Sequence, residues 1–193
     1  MKTHILIITA LETELNRKAL PHIPNTKIHL VYSGVGKINA SLATLKAIEQ
    51  HQPKLIINFG TVGKINQSLE GLLEISKVLQ RDMDAEPLAP RGRTPFCDRP
   101  SEYHSSGLYV CGSGDSFVTS SDAWLIDQEI DVVDMELFAI AAVAHQYSIP
   151  WRSFKYISDA ANEDAGQEWH QKVNHGQELY LDALNKVLGI SRG

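Results

Sequence analysis

The chain has 193 residues, a net charge of −5, 43% apolar residues and 21% charged ones, the length of one domain with one sizeable core and an ordinary globular composition. No basic run is long enough to build a concentrated positive surface, which argues against nucleic acid as the main partner. The two cysteines, Cys97 and Cys111, make no CxxC spacing, and the eight histidines lack paired ligand spacing, so neither a disulfide framework nor a metal site is expected.

The first apolar run, Ile5 to Thr9, is too short for a leader core or a membrane span; a cytoplasmic protein with no membrane partner is expected. The run is rich in β-branched residues, the pattern of a strand buried on both faces. Leu11 to Ala19 reads as a helix stopped near Pro21, and Lys27 to Tyr32 alternates as a strand. Ile38, Leu42, Leu45 and Ile48 recur at helical spacing. Leu55 to Phe59 is a second buried strand. The stretch from Gln80 to Pro100 carries four prolines, four arginines and four acidic residues and reads as a long functional loop. Leu108 to Cys111 and Asp131 to Asp134 are short strands, Leu137 to His145 a buried helix, and Trp151 to Ile157 a strand. Trp169, Val173, Gly176, Tyr180, Leu184 and Val187 mark one long final helix. Strands alternating with helices predict a single three-layer α/β/α domain over residues 1–193, with a mixed, largely parallel central sheet.

Gly34-Val35-Gly36-Lys37 is neither a dinucleotide fingerprint, since Asn39 stands where the third glycine belongs, nor a P-loop, since Ile38 follows the lysine. It reads as a tight strand-to-helix turn facing a ligand crevice. Carboxylates gather at strand ends: Glu12 and Glu14 after the first strand, Asp134 and Glu136 around Met135, and Asp159 after Ile157-Ser158. Each alone is as well read as a helix cap. Three such sites in one α/β sheet point to a shared acidic centre.

Six collinear segments carry a family resemblance: Ala10-Leu11-Glu12-Thr13-Glu14, Ser33-Gly34-Val35-Gly36-Lys37, Ile57-Asn58-Phe59-Gly60-Thr61-Val62-Gly63, Ser113-Gly114-Asp115-Ser116-Phe117-Val118, Val133-Asp134-Met135-Glu136 and Ile157-Ser158-Asp159. In order and spacing the chain resembles the bacterial methylthioadenosine/S-adenosylhomocysteine nucleosidases and their phosphorylase relatives. The resemblance implies a purine nucleosidase, homodimeric, with a small nucleoside as partner and no cofactor. It implies that Glu14 activates the attacking water, that Asp159 protonates purine N7, and that Glu136 grips the ribose hydroxyls. It places Phe117 on the base and Val118's backbone at its edge. Met135, Val35 and Leu11 would line the pocket, with Thr61 and Ser158 as polar contacts. Core packing is the plain alternative for Phe117 and Met135.

The chain departs from the family pattern at Lys155, where an arginine usually precedes the catalytic aspartate by four residues, at Thr61 for serine, and at Asp134 for glutamate. It is also shorter, mostly between Gly63 and Leu108. A phosphorylase would need arginines around its phosphate, and the matched segments offer only Lys37 and Lys155. A silent nucleoside-binding protein is the other alternative. The segment 81–96 is expected to set the specificity for the 5′ substituent: Arg81, Arg91 and Arg93 suit an anionic or polar group, unless they pair on the surface with Asp82, Asp84 and Glu86.

Overall fold

The computed structural model describes residues 2–120, 122–162 and 165–189. Strand β1 (Thr3–Thr9) is buried from Ile5 onward, and its lack of polar alternation follows from helices covering both faces. β2 (Thr26–Tyr32) pairs with it in parallel, as does β3 (Leu55–Lys64) on the other side. Helix α1 (Lys37–His51) crosses between them and ends on Gln52 in the left-handed conformation, just before Pro53.

The sheet continues through β4 (Leu72–Gln80), β5 (Glu102–His104), β6 (Tyr109–Ser113), β7 (Val132–Asp134) and β8 (Trp151–Asp159). Five pairings are parallel and three antiparallel, as the alternating sequence pattern predicted. The pairings β3–β7, β7–β6, β6–β4, β4–β8 and β8–β3 close into a ring. The ends of β3, β6, β7 and β8 therefore converge.

Helix α3 (Leu137–Gln146) packs with α1 on one face of the sheet, over Leu6, Ile8, Ile56 and Ile75. On the other face lies α5 (Gln177–Val187), whose Tyr180 and Leu184 cover Ile7, Ile57, Phe59 and Phe154. The Tyr180 ring stacks on Phe59 at 4.3 Å. These are the three layers expected. A short helix α2 (Ala123–Asp127) is capped by the Asp122 side chain. Among the described residues no helix is long and apolar enough to cross a membrane.

Two local expectations are corrected. Residues 11–16 form turns, with one turn of 3₁₀ helix at Arg17–Ala19, because Glu14 is drawn into the sheet by hydrogen bonds instead of lying along a helix face. The final helix is broken into α4 (Ala165–Lys172) and α5. At the break, a Cβ on Gly176 would stand 2.5 Å from Tyr156, so the chain passes the sheet too closely for any larger residue. Ile38 and Leu42 point away from the core that Ile48 joins. β4 and β5 had no clear signal in the sequence, since Glu74, Ser76 and Lys77 interrupt the apolar run.

Candidate active site

The cavity opens at the converging strand ends. All ten residues singled out in the sequence lie in its wall: Leu11, Glu14, Val35, Thr61, Phe117, Val118, Met135, Glu136, Ser158 and Asp159. Arg81, one of the arginines expected near the 5′ substituent, also lines it, as do Ser116 and Trp169, which were not assigned to the site from the sequence. Trp169 looked like a core position of an amphipathic helix; α4 instead turns it over the cavity.

Glu14 is 4% exposed. Oε2 accepts from Thr9 Oγ1 and from the Leu11 N–H, both at 3.0 Å. Oε1 accepts from the N–H and the hydroxyl of Thr61, both at 2.9 Å. Four donors on one carboxylate fix its plane. Trp169 Nε1 in turn donates to Thr61 Oγ1 at 2.8 Å. Glu12, two residues earlier, is exposed.

Asp159 ends β8 and is 5% exposed. Burial raises its pKa above the ordinary carboxylate range, and Glu168 adds to the rise; bonds from the Ala161 N–H (3.0 Å) and Ser158 Oγ (2.9 Å) oppose it. The β3–β8 register shifts between Val62 and Gly63. Asp159 takes the space this leaves: a Cβ on Gly63 would stand 2.5 Å from Asp159 Oδ1.

Asp134 and Glu136 have different surroundings. Asp134 forms a buried ion pair with Lys155 Nζ at 2.7 Å, and also accepts from Ser113 Oγ and the Leu137 N–H. Burial opposes both charges, but each holds the other ionised, with Asp134 below and Lys155 above its ordinary range. Glu136 stands at the start of α3 and accepts the Gly36 N–H at 2.9 Å. Burial, with Asp134 adding repulsion, pushes its pKa up to about 7. The Gly34–Lys37 turn does face the cavity, through Val35.

The arginines of the 81–96 segment divide between the cavity wall and the outer loop. Arg81 is buried in the wall. Arg91 pairs with Asp122, donates to the Arg81 carbonyl and lies over the Trp124 ring at 4.5 Å. Only Arg93 is exposed. The acidic partners expected on the surface are not the ones used, because the loop folds back on α2.

Residues 19–188 match the phosphorylase superfamily. A 5′-methylthioadenosine/S-adenosylhomocysteine nucleosidase of Staphylococcus haemolyticus is 30% identical, with 97% of each chain covered. Two solved Helicobacter pylori structures share the fold. One is a 5′-methylthioadenosine/S-adenosylhomocysteine nucleosidase with butyl-thio-DADMe-Immucillin-A, at a TM-score of 0.87 and 22% identity over 98% of this chain and 99% of that one. The other is a futalosine hydrolase, at 0.86 and 21% over 97% of each. With residues 19–188 matched by the family and a relative 30% identical over nearly its whole length, the chain belongs to the phosphorylase superfamily.

Proposed function

We propose that this protein hydrolyses the N-glycosidic bond of a purine nucleoside, releasing the free base and a ribose derivative. The observation that carries this reading is the convergence of Glu14, Glu136 and Asp159, each held by different partners, on one cavity that Phe117 also lines. Cleaving C1′–N9 leaves the bond's electrons on the purine and an oxocarbenium-like sugar, the division of labour between acid and base known from glycoside hydrolysis. Asp159, buried and raised, gives a proton to N7. Glu14 takes one from the water that attacks C1′. Glu136 accepts hydrogen bonds from the ribose diol, and Phe117 offers the base an aromatic face.

Water is favoured over phosphate as acceptor because the nearby cations are engaged. Lys37 is held by Asp82 and Asp115, Lys155 by Asp134, and Arg81 by loop oxygens. Arg91's ties to Asp122 put a neutral methylthioadenosine-type 5′ group ahead of a charged one. The relatives' names support the same choice. Ile38 and Leu42, 74% and 62% exposed and one turn apart on α1, support a homodimer with this face covered. The unpaired cysteines suit a reducing, cytoplasmic setting, and the chemistry suits purine salvage.

The test is base release from a nucleoside panel in phosphate-free buffer. Free base together with free reducing sugar is expected. Ribose-1-phosphate formed only when phosphate is added would overturn the hydrolase in favour of a phosphorylase.

A further inference from the structure

The roles above leave unexplained a buried arginine and its neighbour at the end of β4. Arg81 is 5% exposed. Its guanidinium donates to Gly114 O at 3.0 Å, to Ser116 Oγ at 3.3 Å, and to Ser116 O. The fit is close: a Cβ on Gly114 would stand 2.8 Å from Arg81 Cζ. Asp82 reaches another strand's loop as well. It accepts Lys37 Nζ at 2.6 Å and the Asp115 N–H at 2.8 Å. Asp115 completes the circuit, its Oδ1 accepting the Lys37 N–H at 2.8 Å.

Two consecutive residues thus tie the loop after β2 to the loop after β6. The first loop presents the Gly36 N–H to Glu136. The second carries Phe117 and Val118. We propose that Arg81 and Asp82 are a positioning pair that fixes the separation of the ribose-holding and base-holding loops, and so sets the affinity for a ligand spanning both. The inference rests on the purine nucleoside reading. Loops left free would have to be ordered by each incoming ligand, and that ordering weakens binding. Neither Glu14 nor Asp159 is bonded to this circuit, so the bond-breaking step is spared.

Two measurements test the pair. Amide hydrogen exchange needs no ligand: Asp82→Ala is expected to speed exchange in segments 33–38 and 113–118 while β1 and β3 keep their protection. Unchanged exchange in both segments overturns the proposal. Kinetics on a purine nucleoside, with free adenine as competitor, then separates positioning from general damage. In Asp82→Ala, KM is expected to rise about tenfold, the loss of one charge-assisted hydrogen bond. Both kcat and the adenine inhibition constant are expected to stay within about threefold, because adenine contacts the base loop alone. Lys37→Met should behave alike, and the double variant should be no worse than either single one. Equal weakening of adenine and nucleoside, or a fall in kcat with KM unmoved, overturns the proposal. A wild-type protein that releases base from no nucleoside fails the functional reading, and the exchange result still decides the pair.

Discussion

Trp169 and Glu14 share one hydroxyl: Thr61 Oγ1 accepts the indole N–H at 2.8 Å and donates to Glu14 Oε1 at 2.9 Å. The indole thus leaves the hydroxyl proton a single acceptor, the carboxylate that would activate water. Thr61→Val removes this link but keeps the backbone donor. It is expected to lower kcat by about tenfold, the net worth of one hydrogen bond to a charged group, while Thr61→Ser stays near wild type. Steady-state kinetics of both variants checks this.

Glu14→Gln is expected to abolish turnover, and Glu12→Gln to leave it unchanged. Glu14 accepts four donors in the buried wall, and a glutamine amide would turn its own donor against two of them. The melting temperature of Glu14→Gln should fall as well, by an amount on the order of 1–3 kcal/mol of stability. Activity lost in Glu12→Gln and kept in Glu14→Gln would show that the exposed residue is the base.

Asp159→Asn should cut turnover by roughly 10²–10⁴ fold, the range for loss of a general acid. Because burial raises the Asp159 pKa, the wild-type rate should decline on the alkaline side as this proton is lost. That limb should vanish in the variant. Gly63→Ala should mimic the loss while leaving the carboxyl group chemically intact, since its methyl would stand 2.5 Å from Asp159 Oδ1 and displace it. A pH–rate profile of the three proteins decides.

The ligand-binding role proposed for Glu136 comes at the expense of the fold. Its pKa is about 7 in the folded protein, against an ordinary value of about 4.3. A carboxyl with a raised folded pKa supports the fold at low pH and loses that contribution as pH rises through 7. Glu136→Gln should therefore stabilise the ligand-free protein at pH 8, by on the order of 3 kcal/mol, with little gain at pH 4. The ionised form is the better acceptor for a diol, so wild-type KM should fall as pH rises from 6 to 8. Thermal melts at both pH values, with and without nucleoside, check the sign.

Much of this site is legible in the sequence, because carboxylates at the ends of apolar β-branched runs are carried to one edge by any parallel sheet. Glu14, Glu136 and Asp159 were placed together that way, and the roles proposed for them come from the family resemblance. Trp169 was hidden because a helix pattern gives the spacing of a residue and not the angle at which its helix meets the sheet. Arg81 was named among the arginines of the specificity segment, but its burial was not legible, because a buried cation looks like a surface one until its acceptors, here backbone carbonyls 33 to 35 residues away, are in place. The turn at 11–16 was misread as a helix because Glu14's tertiary hydrogen bonds override local propensity.

The position of β8 has a consequence for how the chain is made. Residues 151–159 fill the place between β3 and β4, strands completed before residue 81. A nascent chain that has emerged only as far as Pro150 has no β8 to place between them. Their open edges are the kind that pair with other chains. Sheet closure and the arrival of Asp159 are then one event. A chain lacking residues 151–159 would leave β3 and β4 without the strand that joins them and the cavity without Asp159.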